Sequence, residues 1–231
     1  ASYNKANAII ALEKLIDNTT PITELINKAL EIKEEIDALA REQVKDTILV
    51  ASKELTKKVL RAYAKQYNIT KLKHIFPAGS VGQESIKNGI MGLAEHYDDD
   101  AIVLIHDAIR PNLSKDVISD CIAITKQHGN AIVCIPCQEA MLETQDKICS
   151  ESSYPRDNLK RTQTPQGAKL SQLVNLHKKA KELGITESIA TCTLVTEIGE
   201  KIYFSAGSSK NIKITTPEDI DIFKALLKQG E

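Results

Sequence analysis

The sequence predicts an α/β fold built around a mostly parallel sheet, because segments with helical and strand-like patterns alternate along its 231 residues. The clearest strand is the apolar run AIVLI at residues 101–105, which is typical of a strand buried on both faces. His106, Asp107 and Arg110 follow it directly. Open α/β sheets bind their ligands beyond the carboxyl ends of their strands, so a site is expected at this edge.

The first half of the chain is predicted to alternate between short strands and helices. Apolar runs at residues 8–11, 47–50 and 72–77 favour strands. Residues 21–39 carry isoleucines and leucines mostly at helical spacing, which predicts an amphipathic helix. Residues 53–67 are predicted to form another helix.

The second half continues the same alternation. A glycine turn within residues 78–90 is predicted to run into a helix that ends near His96. Thr216 as N-cap and Pro217 in the first turn predict the start of the last helix. The other predicted elements are strands over residues 131–136 and 201–204 and helices over residues 115–128, 167–183 and 217–227.

Residues 143–161 interrupt this alternation. The segment is polar, lacks a helical stripe and is long for a connection within a compact domain, which favours a functional excursion or a contact with a partner. We predict a projecting hairpin arm there. No linker or internal repeat divides the sequence, so residues 1–231 are expected to form a single domain.

Composition excludes several classes of function. No apolar stretch approaches the roughly 20 residues of a membrane helix, and no signal peptide with a basic and then an apolar region is seen. We therefore expect a cytoplasmic protein that does not associate with a membrane. The formal charge of −1 provides no general attraction for nucleic acid. Five cysteines, an odd number, argue against a disulfide framework. Cys134 and Cys137 form a C-x-x-C pair without a second pair to complete a zinc site.

Four polar clusters lie at the predicted strand ends and in the predicted loops. Each combines glycine, hydroxyl or charged side chains that could bind an anionic ligand. The clusters are GSVGQES at residues 79–85, HDAIRP at 106–111, PRD at 155–157 with RTQTPQ at 161–166, and NIKITTPED at 211–219.

Each cluster also has a simpler interpretation. Ser85 can merely cap a helix, and Asp107 with Arg110 can form a local ion pair in a loop, where Pro111 disfavours a helix. Lys213 lies between two isoleucines, so alternation points it to the opposite face, where it could bind a phosphate or remain solvated.

The motifs HDAIRP, RTQTPQ and NIKITTPED, in this order and spacing, resemble those of the cytidylyltransferases that act on polyol phosphates. These include the methylerythritol-phosphate and ribitol-phosphate enzymes, and the resemblance covers about residues 46–227. It implies a Rossmann-like three-layer sandwich with a protruding β-arm that exchanges contacts across a homodimer. It also implies transfer of CMP from CTP to a polyol phosphate, with Mg²⁺ as cofactor, for isoprenoid precursors or surface polymers.

The resemblance further implies roles for residues on the nucleotide side of the site. Gly79 and Ser85 match positions that contact the cytidine base. Asp107 matches the acid near the magnesium ion and the ribose–phosphate portion of the nucleotide, and Arg110 matches the arginine that shapes this loop. Lys213 matches the lysine at the α-phosphate.

On the polyol side, Arg156 matches an arm arginine that reaches the polyol phosphate from the neighbouring subunit, and Thr164 matches a hydroxyl near the arm base. The sequence departs from the family at Gly82, where a basic residue is usual, and at Glu139-Ala140, where Asp-Thr is frequent. The missing hydroxyl disfavours methylerythritol phosphate. The Arg-Asp-Asn run that begins at Arg156 favours ribitol phosphate.

A larger departure concerns the glycine-rich, basic loop that cradles CTP in the family after the first strand. Here Ala11 passes directly into Leu12, and no glycine precedes Gly79. Either the protein lacks the loop and is an impaired homologue that acts as a dimer partner or nucleotide-binding regulator, or the printed sequence omits it. An intact mass of 25.4 kDa would exclude the second interpretation. A related nucleotidyltransferase with another nucleotide or sugar phosphate is a further alternative.

Overall fold

The computed structural model describes residues 6–11, 44–51, 54–66, 69 and 71–227. The predicted helix over residues 21–39 lies outside this part of the chain. The described strands are β1 (Ala6–Ala11), β2 (Val44–Ala51), β3 (Leu72–Pro77), β4 (Ile102–Asp107), β5 (Asn130–Pro136), β6 (Met141–Glu143), β7 (Ser152–Tyr154), β8 (Lys160–Lys169) and β9 (Phe204–Ala206). The described helices are α1 (Glu54–Gln66), α2 (Gly82–Ala94), α3 (Lys115–His128), α4 (Leu170–Glu182), α5 (Thr191–Glu197) and α6 (Pro217–Leu227), with a 3₁₀ turn at Arg156–Asn158.

A seven-stranded sheet with the order β3-β2-β1-β4-β8-β5-β9 forms the centre of the described fold. Neighbouring strands run parallel except around β8, which is antiparallel to both β4 and β5. The prediction of an α/β protein with a mostly parallel sheet is therefore confirmed. Because parallel strands end at the same edge, the residues after β3 and β4 lie at one side of the sheet.

Helices cover both faces of the sheet. Strand β4 is therefore buried on both faces, which explains why apolar and polar residues do not alternate along it. Leu104 packs into a core with α3 and Leu60 of α1, whereas Val103 and Ile105 pack into a second core with α2, α4 and α5. Every residue from Ile102 to His106 is buried. This arrangement is a three-layer sandwich, as expected for a strand with apolar residues on both faces.

Strand β8 was not predicted. The sequence predicts no strand at RTQTPQ and a helix from residue 167, but the helix begins at Leu170 and residues 160–169 form a strand. The strand is polar, yet Gln163, Thr164 and Gln166 are buried. Hydrogen bonds with Ser208, with the Cys192 backbone on α5 and with His106 satisfy these side chains, so tertiary contacts outweigh the weak local pattern.

Other boundaries differ little from the predictions. The strand at residues 72–77 and the helices at residues 115–128 and 217–227 are confirmed. The expected strand at 201–204 instead spans Phe204–Ala206, and α5 was missed. None of the helices within the described ranges is both long and apolar enough to cross a bilayer.

The segment predicted as an arm overlaps the hairpin of β6 and β7, which begins two residues earlier, at Met141, and pairs antiparallel outside the main sheet. Every residue from 138 to 158 is exposed. Large apolar side chains are among them, including Leu142 at 65% and Ile148 at 89% exposure. The hairpin therefore presents apolar surface to its surroundings.

His177 on α4 makes the stability of the fold depend on pH. Its side chain is buried, and neither ring nitrogen has a hydrogen-bond partner within the described residues. Burial, with a smaller contribution from Lys87, lowers the pKa of His177 to about 4 from its ordinary value near 6.5. The unfolded chain therefore binds a proton between these values that the folded chain does not bind. The free energy of unfolding should rise from about pH 4 to 6.5, by about 3 kcal/mol from this group.

Urea unfolding between pH 4.5 and 7.5 measures this dependence. His177→Leu should flatten the profile of the free energy of unfolding below pH 6.5. The matched change His128→Leu, at an exposed imidazole stacked on Tyr203, should leave the profile as it is. An unaltered profile in His177→Leu would contradict the assignment.

Candidate active site

The carboxyl end of β4 carries an acidic side chain held between two cations. His106 and Asp107 are the last two residues of β4 rather than the first residues after it, and Arg110 lies in the following loop. A tight turn results, because the Arg110 backbone N–H donates to the Asp107 carbonyl at 3.1 Å. The Arg110 Nε then donates to Asp107 Oδ2 at 3.0 Å, which fixes the carboxylate.

Lys213 provides the second cation, from a segment 106 positions later in the chain. Its Nζ lies 3.5 Å from Asp107 Oδ2, and its side chain is 45% exposed. The backbone N–H of Ile214 donates to the Ile109 carbonyl at 2.8 Å, which ties this segment to the loop after β4. Lys213 is exposed while Ile212 and Ile214 are half-buried, as the alternation predicted, although the segment is not a strand.

Strand β8 places Thr164 against the same carboxylate-bearing residue. The Asp107 backbone N–H donates to Thr164 Oγ1 at 3.0 Å. Asn211 completes the connection: its Nδ2 donates to the Thr164 carbonyl at 2.8 Å, and its own carbonyl accepts from Arg110 Nη1 at 2.8 Å. Four of the predicted site residues, Asp107, Arg110, Thr164 and Lys213, thus form one network, which we name the Asp107 cluster.

Asn211 and His106 are parts of this network to which the sequence assigned no role. Both side chains are completely buried. Asn211 belongs to the motif NIKITTPED and His106 to the motif HDAIRP, and His106 also follows the predicted buried strand at the edge where a site is expected. Asn211 and its partner Thr164 are 47 positions apart along the chain, so the local sequence pattern could not reveal their contact.

Gly79 and Ser85 lie in the turn between β3 and α2. The Gly79 backbone N–H donates to Ser85 Oγ at 3.0 Å, and the same hydroxyl donates to the Val81 carbonyl at 3.1 Å. A Cβ at Gly79 would come within 2.3 Å of the Glu84 side chain, so the close turn requires glycine. The two residues are at the same sheet edge as the Asp107 cluster, but three strand spacings away, about 14 Å.

The carboxyl end of β1 lies between these two groups. β1 is adjacent to β4, and Ala11 is the register partner of Asp107. The chain therefore leaves β1 directly beside the acidic residue. The residues that follow, from Leu12, are outside the described part of the chain.

Arg156 lies apart, in the 3₁₀ turn between β7 and β8. Its Nη1 donates to the Gln138 carbonyl at 3.1 Å, and the residue is exposed. Among the described residues, no hydrogen bond or ion pair joins it to the Asp107 cluster. Nearby, Arg161 Nη1 lies 3.5 Å from Glu139 Oε1, so the foot of the hairpin carries two exposed arginines.

The residues of the Asp107 cluster could bind a magnesium ion only through the single carboxylate of Asp107. Over the described ranges, no group of three or more histidine, cysteine, aspartate or glutamate side chains is placed to hold a metal. All five cysteines are free thiols. Magnesium is commonly bound through one or two carboxylates together with substrate phosphates, and the single Asp107 carboxylate, 32% exposed, fits that mode.

Known structures share this fold. The chain aligns with a crystal structure of 4-diphosphocytidyl-2C-methyl-D-erythritol synthase at 22% identity and a TM-score of 0.74, covering 97% of this chain and 99% of that one. The 2-C-methyl-D-erythritol 4-phosphate cytidylyltransferase of Francisella tularensis aligns at 20% identity and a TM-score of 0.76, covering 95% and 99%. The fold is thus that of the Rossmann-like cytidylyltransferases, as expected.

Sequence comparisons then define the family. Residues 19–229 match the family described as 2-C-methyl-D-erythritol 4-phosphate cytidylyltransferase. The ribitol-5-phosphate cytidylyltransferase of Lacticaseibacillus paracasei is 34% identical over 188 residues, covering 80% of both chains. The 2-C-methyl-D-erythritol 4-phosphate cytidylyltransferase of Clostridium novyi is 32% identical over 190 residues, covering 80% of this chain and 78% of that one. The chain belongs to this family of nucleotidyltransferases, and the resemblance is confirmed.

Proposed function

We propose that this protein transfers CMP from CTP to a polyol phosphate and releases pyrophosphate. The Asp107 cluster carries the proposal, because it gathers one carboxylate, two cations and a buried hydroxyl at the sheet edge. In the reaction a phosphate oxygen of the polyol phosphate attacks the α-phosphorus of CTP. The bond from that phosphorus to the bridging oxygen of pyrophosphate breaks.

The chemistry requires charge stabilisation more than proton transfer. A phosphate monoester has a second pKa near 6, so the attacking group is already largely dianionic at neutral pH and needs no general base. Two anions must instead be aligned, and the charge that spreads in the transition state must be stabilised. Lys213, whose half-exposed amine is held near Asp107, supplies positive charge to the α-phosphate.

Asp107 is the residue that would hold Mg²⁺ together with the phosphates of CTP. Bound there, magnesium would neutralise part of the triphosphate charge. Arg110 orients the carboxylate through its Nε, and Thr164 holds the Asp107 backbone N–H. In our proposal Gly79 and Ser85 contact the cytidine base at the carboxyl end of β3, where the turn allows close approach of the backbone to a flat ligand.

We further propose that the polyol phosphate is bound by Arg156 from a second subunit. Within one chain Arg156 belongs to the exposed hairpin foot and not to the Asp107 cluster. The apolar side chains on the hairpin, among them Leu142, Ile148 and Tyr154, would be buried in a homodimer.

The family match over residues 19–229 supports a single domain, and the free thiols support a cytoplasmic location.

D-Ribitol 5-phosphate is the acceptor we favour. Glu139-Ala140 stands where Asp-Thr is frequent, which removes a hydroxyl from the loop that contacts Arg156 and Arg161. The Vibrio parahaemolyticus relative, at 34% identity over 80% of this chain, is also named a ribitol-5-phosphate cytidylyltransferase. The product would then be CDP-ribitol, a precursor for surface polymers, and methylerythritol 4-phosphate is the second candidate.

Pyrophosphate release tests the substrate assignment. Protein of verified mass is incubated with Mg²⁺, CTP and either D-ribitol 5-phosphate or 2-C-methyl-D-erythritol 4-phosphate, and ATP, GTP and UTP serve as controls for the nucleotide. We expect at least tenfold higher kcat/KM with the ribitol ester and CTP. A preference for the methylerythritol ester would reverse the acceptor assignment, and a preference for another nucleotide would contradict the CTP site.

The same assay decides the alternative of an impaired homologue. Nothing in the family match or in the relatives' names supports that alternative. The position of the family's glycine-rich loop would be directly beside the Asp107 cluster, since Ala11 pairs with Asp107. Absence of turnover with every acceptor, in protein of 25.4 kDa that still dimerises, would therefore establish an impaired homologue.

A further inference from the structure

His106 lies at the centre of the Asp107 cluster without facing solvent. Its side chain is completely buried at the end of β4. Nδ1 lies 2.9 Å from Thr164 Oγ1, and Nε2 lies 3.1 Å from the Arg110 carbonyl oxygen. The ring therefore spans from strand β8 to the loop that carries Arg110.

The partners of His106 define which ring nitrogen carries the proton. The Arg110 carbonyl can only accept a hydrogen bond, so Nε2 must donate. In the neutral ring Nδ1 is then an acceptor, and it accepts the proton of the Thr164 hydroxyl. That hydroxyl in turn uses a lone pair to accept the Asp107 backbone N–H. The result is a directed chain of hydrogen bonds from the Asp107 backbone through Thr164 and His106 to the Arg110 carbonyl.

This chain closes the turn that presents the two charged side chains. The Arg110 backbone N–H already donates to the Asp107 carbonyl across the turn. His106 holds the Arg110 carbonyl from the other side, while Thr164 holds the Asp107 backbone N–H. Loss of the ring would leave the Arg110 carbonyl without this donor and would free the Thr164 hydroxyl to rotate.

We propose that His106, as the neutral Nε2–H tautomer, is a positioning residue for the nucleotidyl transfer: it holds the backbone of Asp107 and Arg110 so that the guanidinium keeps the carboxylate aimed at the nucleotide phosphates. This inference rests on the proposed function. A displacement of about 1 Å in reacting groups can cost about 10²-fold in rate. Changes at His106 should therefore lower kcat by 10- to 100-fold and alter KM for CTP by less than threefold.

Three substitutions separate the two hydrogen bonds. His106→Asn keeps an acceptor near the position of Nδ1, and His106→Gln keeps a donor near the position of Nε2. His106→Phe keeps the size of the ring and removes both. Each polar variant should retain more kcat than His106→Phe, a partial rescue that filling the core alone would not produce. Equal kcat in all three variants and the wild type would overturn the proposal.

Coupling to Thr164 gives a second readout. Thr164→Val removes the hydroxyl that donates to Nδ1 of His106. If the chain of hydrogen bonds acts as a unit, the His106→Phe/Thr164→Val double variant should lose little more kcat than the worse single variant. Fully multiplicative losses would contradict the coupling.

NMR at pH 7.5 tests the arrangement without any turnover. With ¹⁵N-labelled histidine, the His106 ring should show a protonated Nε2 and an unprotonated Nδ1, and the Nδ1 resonance should move in Thr164→Val. The Asp107 amide and Arg110 Nε–H resonances should shift in His106→Gln, whereas His128→Gln should leave them in place. An Nδ1–H tautomer, or unchanged Asp107 and Arg110 resonances, would overturn the positioning role. If the wild type proves inactive with every substrate, the proposed function fails, while the NMR result still decides the role of His106.

Discussion

Lys213→Ala is expected to lower turnover with CTP and the polyol phosphate by at least about 10², while the protein stays folded. That factor corresponds to about 2.7 kcal/mol of activation free energy. The amine lies 3.5 Å from Asp107 Oδ2, so its charge is placed at the proposed nucleotide site. Folding should be little affected, because an ion pair with a 45% exposed lysine contributes at most about 1 kcal/mol.

The measurement is kcat from pyrophosphate release, with thermal unfolding of the same samples. Lys224→Ala is the matched control, since it also removes one exposed lysine from an ion pair, with Asp221 on α6, and should keep wild-type turnover. Lys213→Arg should retain more activity than Lys213→Ala, because the charge is kept although its geometry differs. Wild-type turnover in Lys213→Ala would exclude this residue from the reaction.

Mixed dimers of Arg156→Ala and Lys213→Ala subunits should recover about half of the wild-type activity, although each homodimer alone is expected to be nearly inactive. If Arg156 reaches the Asp107 cluster of the other subunit, one of the two sites in the mixed dimer combines both intact residues. The other site carries both defects. Two different affinity tags allow the mixed species to be purified before pyrophosphate release is measured.

A second pair of variants controls for simple exchange of subunits. Asp107 and Lys213 lie 3.5 Å apart within one chain, so a mixed dimer of Asp107→Asn and Lys213→Ala contains one defect in each site. That dimer should stay inactive. If the Arg156→Ala and Lys213→Ala mixture also fails to recover activity, the two residues do not belong to a site shared between subunits.

Much of the fold could be predicted because buried strands have recognisable apolar runs in the sequence. The run at residues 101–105 is apolar throughout, since β4 is covered by helices on both faces. Strand β8 has no such apolar pattern: its buried glutamines and Thr164 resemble a loop, and their hydrogen-bond partners Ser208, Cys192 and His106 lie 26 or more positions away. Local pattern carries no information about such partners.

The candidate site was predictable to a different extent. The approach of Lys213 to Asp107 followed from the resemblance of two motifs, and the structure places the amine and carboxylate within 3.5 Å. His106 and Asn211 were not assigned, because their importance depends on which atoms they bridge and not on their type. The trans position of Arg156 stays a prediction, since it concerns a second copy of the chain.

Strand β8 connects the foot of the hairpin to the Asp107 cluster, and its pairing with β5 shifts register between Thr162 and Gln166. Its first residue, Lys160, stands at the foot of the hairpin, and Thr164 lies beside Asp107 four residues later. In the proposed enzyme, side chains on the hairpin could therefore differ between acceptors while the residues around Asp107 keep their arrangement. A one-residue insertion or deletion between Lys160 and Thr164 would instead place Thr164 on the opposite face of the strand, away from the Asp107 backbone N–H. In the proposed enzyme, exchanges on the hairpin would therefore alter acceptor choice with less disturbance of the Asp107 cluster than changes in the length of β8.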